Sequence, residues 1–287
     1  MDEVGTESSR HSDRHWEVFV IEYARSRDQP IGSLLAGVFD EGTIDLPFAF
    51  VLARRGDLTV LVDTGFMREG SGAEMAVRFG IADWVSPVRM LQLVGVEAAS
   101  VTHIVVSHAH YDHMGAIDQF PRAHLFLQKR ELLTWVEAMA LPRQFGAITA
   151  VLDPEDIHDA LRAAEEHRLT LLEGDRDDLL PGLHVRCAEG HTLGQQYVAL
   201  ETARGRFVVS GDCIYSSRNL TGRGGDGIYI PLGSGIGSVW EQLKSMDRMN
   251  QEVGGDIGRV LILHDFERWS RFEVSAELGG FRVFRVA

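Results

Sequence analysis

Three histidines and one aspartate fall within the six residues His108-Ala109-His110-Tyr111-Asp112-His113. Imidazole nitrogen and carboxylate oxygen are ligands suited to zinc and related divalent ions. His108 and His110 stand two apart, so on an extended segment both side chains leave from the same side. Asp112 and His113 come where the chain turns, and they can aim at a second, neighbouring position. That layout suggests two metals rather than one. Packing or solvation accounts well for an isolated histidine, and His11, His15, His103, His124, His158, His167 and His184 are read that way. It does not account for four ligand-type residues in the order His-x-His-x-Asp-His.

A strand-like run, Ile104-Val105-Val106, leads into this cluster, and the residues after it suit a turn into a helix. Three further ligand-type residues stand at the ends of predicted strands: His191 after 183–188, Asp212 after 206–210 and His264 after 259–263. Strand ends are where an α/β scaffold presents functional groups. Gly190 and Gly211, just before two of them, let the backbone approach closely. Together these positions make five histidines and two aspartates, the right number for two metals.

The elements that must hold them follow from pattern. Residues 18–23, 48–53 and 58–63 read as strands, the last two forming a hairpin around Arg55-Gly56-Asp57. Residues 24–45 read as a loop or short hairpin, and 73–79 as a helix. Ser86-Pro87 opens another helix, with Val88, Leu91, Leu93 and Val94 as its apolar face and Gly95 as its stop. Residues 123–127 form a strand, and 129–139 a helix with Leu132, Leu133, Val136 and Met139 inward. A surface loop covers 140–154, and 154–167 is a polar, solvent-facing helix. Strands follow at 169–172, 183–188, 197–201 and 206–210. A helix over 238–253 turns Val239, Leu243, Met246 and Met249 inward, and 281–286 is the final strand. Strands come first in pairs and then alternate with helices, which indicates two mixed sheets covered by helices. No linker divides the chain, so residues 15–287 read as one domain and 1–14 as a mobile tail.

Composition narrows the function. A chain of 287 residues, 45% of them hydrophobic, can bury a substantial core, and 30 glycines suit a loop-rich α/β enzyme. The net charge of −14 disfavours general affinity for nucleic-acid phosphates or anionic membranes. Two cysteines, Cys187 and Cys213, make no disulfide framework and fit a reducing cytoplasm. No apolar run reaches transmembrane length, and the acidic first residues hold no secretory segment.

The set His108-Ala-His110-Tyr-Asp112-His113, Gly190-His191-Thr192, Gly211-Asp212 and His264 resembles the metallo-β-lactamase superfamily, spread over residues 48–265. The resemblance implies a four-layer αβ/βα sandwich of two mixed β-sheets flanked by helices, with two divalent metal ions at one edge. Zinc is the first expectation, with manganese, iron and cobalt as alternatives. His108, His110 and His191 would hold one ion, Asp112, His113 and His264 the other, and Asp212 would bridge them. Asp63, in Val62-Asp63-Thr64-Gly65, would support the site from behind. A hydroxide held between the metals would be the nucleophile, so no serine or cysteine nucleophile is needed.

Tyr215, three residues past Asp212, and the run His264-Asp265-Phe266-Glu267-Arg268-Trp269 resemble the N-acyl-homoserine lactonase branch and the related pyridoxolactonases. Catalytic roles are therefore expected of Asp112, Asp212 and Tyr215, on a lactone or other small cyclic ester. The partner is a small molecule, with no nucleic acid and no membrane, and a homodimer is left open. Met114-Gly115-Ala116 and Gln195-Gln196-Tyr197 depart from the family pattern, and are expected near the pocket, where they would alter the substrate. The alternatives are another cyclic or linear amide or ester, a glyoxalase-type thioesterase, which would want basic residues that are not clustered here, and an iron-dependent oxidative member.

Two decoys are set aside. Gly222-Arg223-Gly224-Gly225-Asp226-Gly227 matches a dinucleotide fingerprint but lacks the strand before and the helix after it. It reads as a flexible loop near the site. Cys213, beside Asp212 with no spare general-base histidine, reads as packing.

Overall fold

The computed structural model describes residues 15–287, and the expected tail at 1–14 lies outside the described residues. The strands are β1 Glu17–Pro30, β2 Thr43–Arg55, β3 Leu58–Val62, β4 Ile81–Trp84, β5 His103–Val105, β6 His124–Gln128, β7 Leu169–Leu172, β8 Arg176–Leu180, β9 Leu183–Cys187, β10 Gln196–Thr202, β11 Gly205–Val209, β12 Val260–Leu261, β13 Glu273–Leu278 and β14 Phe281–Arg285. Among the described residues they form a nine-stranded sheet, in the order β13-β14-β1-β2-β3-β5-β6-β7 with β4 joined to β1, and a five-stranded sheet, β12-β11-β10-β9-β8. The first is antiparallel up to β3 and parallel from β3 through β7. In the second, only β11 and β12 run parallel. Both sheets are mixed, as the alternation of elements predicts.

Period-two alternation sorts the side chains into layers. Val18, Val20, Val51, Val60 and Val62 point between the sheets, against Val185, Val198, Leu200 and Val209. Their neighbours Phe19, Ile21, Phe50 and Leu61 point the other way, against Met90, Leu91, Leu132, Trp135 and Ile157 of the covering helices. The outer face of the second sheet packs Tyr197, Ala199 and Val208 on Met246 and Met249 of the helix Val239–Glu252. Helix, sheet, sheet and helix thus form four layers. Strands buried on both faces read as continuous apolar runs, and those were the strands legible in the sequence.

The edges were legible only in part: β7 and β12 were foreseen, whereas β8, β13 and the short β4 beside β1 were not. β8, Arg-Asp-Asp-Leu-Leu, is charged because it closes one edge of the second sheet, where charge discourages further pairing. β13 pairs with β14 across Gly279-Gly280, both at positive φ, as a tight hairpin turn requires. Of the loop or short hairpin expected over 24–45 the structure takes the hairpin, and a longer one: β1 runs on to Pro30, paired with Thr43 of β2 and flanked by β4. The last core strand shortens to Val260–Leu261.

Four helix faces need correction. Leu93 and Val239, both expected inward, are 38% and 55% exposed, and their helices bury Met90 with Leu91 and Met246 with Met249. The helix Lys129–Met139 has the expected bounds, but it buries Glu131, Leu132, Trp135 and Ala138. Leu133, Val136 and Met139 are 53%, 41% and 36% exposed. The helix Pro154–Glu165, expected to face solvent, buries Ile157, Ala160 and Ala163. No helix among the described residues is long and apolar enough to cross a membrane.

Candidate metal centre

The parallel pairing of β3 with β5 brings their carboxyl ends side by side, and with them Asp63 and Ser107. Asp63 adopts φ 63, a left-handed conformation that costs a non-glycine residue about 1 kcal/mol. Its carboxylate is tied three times over. Oδ1 accepts from the Ser107 N–H at 2.6 Å, and Oδ2 accepts from Ser107 Oγ at 2.8 Å and from His113 Nδ1 at 2.8 Å. Ser107 Oγ also lies 3.0 Å from His108 Nδ1. His264 Nδ1 donates to the Pro47 carbonyl at 2.8 Å. These contacts fix three rings and leave the Nε2 atom of each facing inward.

The inward atoms form two groups that share Asp212. His108, His110, His191 and Asp212 make one, and Asp112, His113, Asp212 and His264 the other, all buried, with the donor atoms of each group within 4.8 Å of one another. In the first, His110 Nδ1 lies 3.0 Å from His108 Nε2 and 3.1 Å from His191 Nε2. A tetrahedral ion with metal–nitrogen distances of about 2.0–2.1 Å spaces its ligands about 3.3 Å apart. In the second, Asp212 Oδ1 lies 3.1 Å from both His113 Nε2 and His264 Nε2. Asp212 Oδ2 turns to the first group, 3.5 Å from His191 Nε2. His113 Nε2, His264 Nε2 and Asp212 Oδ1 are buried without a hydrogen-bond partner among the described residues. Such orphaned atoms are costly unless a cation satisfies them, so the donor set fits two metal ions.

Electrostatics separate the two groups. Burial, reinforced by neighbouring imidazoles, holds His108 and His110 well below the usual histidine value, so their lone pairs stay free. Burial also lowers His191. For His113 and His264 burial acts in the same direction, but the Asp212 and Asp112 carboxylates override it and raise both. Burial alone would raise Asp212, but His113 and His264 hold it well below the carboxylate range, as an anion.

A cavity of about 330 Å³ opens onto the cluster. His110, Asp112, His191 and His264 line its floor, and Leu46, Phe48, Phe79, Ile148, Val151 and Ile236 its walls. Tyr215 lines it too, its ring centroid 4.8 Å from that of His264 and 5.8 Å from that of His191. Burial and the Asp212 carboxylate hold its phenol well above the usual value, and hence protonated. Among the described residues no lysine or arginine lines this cavity. Larger open clefts of about 560 and 710 Å³ lie elsewhere and touch none of the seven cluster residues.

Several expectations are corrected here. Gln195 and Gln196 do not line the cavity. With its carboxamide oxygen turned toward β11's end, Gln195 accepts from the Asp212 and Cys213 N–H groups at 2.9 Å each. Gln196 donates to the Val106 carbonyl at 2.7 Å. Met114 is fully buried in the core. These departures from the family pattern therefore brace the scaffold rather than shape the pocket. The glycine-rich loop at 222–227 also lies off the cavity, whose rim comes from 234–236, and its Arg223 pairs with Asp40 and Glu41. Cys213 is fully buried, with Sγ 3.2 Å from the Ala188 carbonyl, in the packing role expected of it. Sequence reasoning missed the walls at Ser26, Gln29, Ser33 and 147–151, which carry no motif. It also missed Glu131, hidden in a helix read from its apolar residues.

A model of the metallo-beta-lactamase superfamily matches residues 43–253. The N-acyl homoserine lactonase AiiB of Agrobacterium fabrum is 28% identical over 188 residues, which cover 61% of this chain and 66% of that protein's length. An N-acyl homoserine lactonase of a Bacillus species is 23% identical over 244 residues, covering 78% of this chain and 84% of that one. Among solved structures, an N-acyl homoserine lactone hydrolase with N-hexanoyl-L-homoserine at its catalytic metal center superposes with a TM-score of 0.67. It is 22% identical, and the match covers 93% of this chain and 98% of that one.

Proposed function

This chain belongs to the metallo-beta-lactamase superfamily, and from that premise we propose that it is a metal-dependent hydrolase that opens lactones bearing an apolar substituent. The observation that carries this reading is one cavity that opens onto the metal-type cluster through His110, Asp112, His191 and His264, is lined by Tyr215 and apolar side chains, and offers no cation. Two divalent ions, zinc in this proposal, held by His108, His110, His191 and Asp212 and by Asp112, His113, His264 and Asp212, supply Lewis acidity that activates water and polarises a carbonyl.

The chain's own groups do the rest. The Tyr215 phenol donates a hydrogen bond to the lactone carbonyl oxygen as negative charge builds there. Asp112 faces the cavity and is placed to take a proton from the attacking water. Returned to the ring oxygen as its bond to the carbonyl carbon breaks, that proton leaves a hydroxy acid. Phe48, Phe79, Ile148 and Val151 receive the substituent and exclude water. A glutathione thioester would bring carboxylates into a cavity with no lysine or arginine to receive them, which disfavours the glyoxalase-type reading. The unpaired thiols Cys187 and Cys213 suit a cytoplasmic setting.

The test is a hydrolysis panel with zinc-loaded protein: N-acyl homoserine lactones of several chain lengths, simple lactones, a glutathione thioester, a β-lactam and a phosphodiester. The best lactone should exceed every other class in kcat/KM by at least about tenfold. A thioester or phosphodiester turned over faster than every lactone would overturn the proposal.

A further inference from the structure

We propose that Glu131 is a positioning residue that locks together the two loops carrying His108, His110 and His191, and so sets the metal affinity of that group and not of the other. The inference rests on the metal assignment above and extends it to a residue that touches neither metal nor substrate.

Glu131 is fully buried near the start of the helix Lys129–Met139. Both carboxylate oxygens are used twice. Oε1 accepts from the Ala109 N–H at 3.0 Å and from the Trp135 indole N–H at 2.7 Å. Oε2 accepts from the Thr192 hydroxyl at 2.8 Å and from the Gly194 N–H at 2.9 Å. Ala109 stands between His108 and His110, and Thr192 follows His191. One carboxylate therefore bridges a loop 22 residues away in sequence and another 61 to 63 residues away. Charge-assisted bonds of this kind are about twice as strong as neutral ones.

A second, independent feature shows how closely the parts are fitted. A Cβ on Gly194 would fall 2.2 Å from the Glu131 backbone nitrogen and 2.6 Å from its Cα. The His191 loop thus lies directly on the first turn of the helix, at a distance only glycine allows. Trp135, held by the same carboxylate, sets its ring edge-on to His110 with centroids 5.5 Å apart. The far side of the His191 loop is held separately, by the Ile236 and Gly237 N–H groups on the His191 carbonyl at 2.9 and 3.2 Å. A further tie between the loops runs from the Gln196 N–H to the Ser107 carbonyl at 2.9 Å, before the histidines begin. Asp112 and His113 follow His110 on one helical turn, with the His113 N–H on the His110 carbonyl at 3.0 Å, but they make no bond to Glu131 and have anchors of their own. The Thr64 N–H binds the His113 carbonyl at 2.8 Å, and the Tyr23 hydroxyl binds the Asp112 carbonyl at 3.0 Å.

Glu131→Gln keeps the shape but turns an NH2 group onto two donors, so one loop loses its acceptor. The test is zinc titration against a chromogenic chelator, with circular dichroism and a thermal melt in chelator to establish folding. The wild type should take two equivalents tightly. Glu131→Gln should keep one tight equivalent and bind the other about 10–100-fold more weakly. Leu132→Ala, a buried neighbour on the same helix that makes no bond to either loop, should lose thermal stability yet keep both affinities. If Glu131→Gln fails to fold, Thr192→Val removes a single donor and should weaken the same equivalent to a smaller degree. A folded Glu131→Gln (or, in its stead, Thr192→Val) with two wild-type affinities overturns the proposal, as does equal weakening of both sites in Glu131→Gln and Leu132→Ala alike. A wild type that binds two equivalents but opens no lactone would remove the proposed substrate and leave this inference standing.

Discussion

Replacing Tyr215 by phenylalanine deletes one hydroxyl and little else. The ring's edge contacts with His264 and His191, at 4.8 and 5.8 Å between centroids, remain available to phenylalanine. The Tyr215 N–H stays bonded to Asn219 Oδ1 at 3.1 Å, so the backbone is held as before. The structural loss is a hydroxyl that sits buried near the Asp212 carboxylate; losing one such polar contact costs about 1 kcal/mol, or roughly 2–4 °C in Tm for a domain of this size. The kinetic loss is larger if the phenol donates to the developing oxyanion, because removing such a donor costs about 10²–10³ in kcat, or 2.7–4 kcal/mol. Since the donor acts chiefly in the transition state, KM should change much less than kcat. Steady-state kinetics on the wild type's best lactone, followed by acid release, with metal analysis of each sample, measures all of this. Tyr215→Phe with full metal content and kcat within about threefold of wild type would refute the donor role and leave tyrosine here a packing residue.

Elemental analysis of protein purified without chelator should approach two divalent ions per chain. Stripping them should lower Tm by about 8–16 °C for each ion lost, since ligand at a thousand times its Kd contributes about 4 kcal/mol per site; a chelator-insensitive melt would count against the assignment. Asp212→Ala, which removes the carboxylate shared by both groups, should cut turnover at least about a thousandfold and reduce bound metal. Cys213→Ala should stay within about threefold of wild type, and comparable losses in two folded, metal-replete variants would give the thiol a role in turnover. Asp156 is buried, and burial followed by the nearby Asp153 and Asp159 pushes its carboxyl up to about 9. The folded state then binds a proton that the unfolded state releases near pH 4, so stability falls as pH rises from about 4 to about 9. Between pH 5 and 8 this group should remove up to about 4 kcal/mol, at 1.36 kcal/mol per unit. Asp156→Asn should lack that slope when urea midpoints are compared, and parallel slopes in the two proteins would sink the argument.

Much of the centre was legible because its chemistry is local in the chain. His108 to His113 are contiguous, and each of the remaining ligand-type residues ends a strand whose apolar run is visible on its own. Parallel pairing then carries strand ends to one edge, and it sets Asp63, whose supporting position only the family resemblance implied, beside Ser107. The two mixed sheets were legible for a related reason. Strands buried on both faces must be apolar throughout, whereas the edge strands β8 and β13 carry charge and left no such mark.

The helix Lys129–Met139 marks where that reading stops. Its bounds follow from composition, but apolar spacing pointed Leu133, Val136 and Met139 inward, and the fold exposes all three. The face actually buried contains a glutamate. Burying a carboxylate is unfavourable unless donors meet it, and here four do, from Ala109, Trp135, Thr192 and Gly194. Three of those donors lie 22 to 63 residues away in the chain. The sequence by itself determined which residues could bind metal and which strands would present them. Only the tertiary structure, by bringing distant donors to one buried carboxylate, decided which side of that helix faces in. The walls of the cavity were decided in the same way, since they are assembled from loops that carry no pattern of their own.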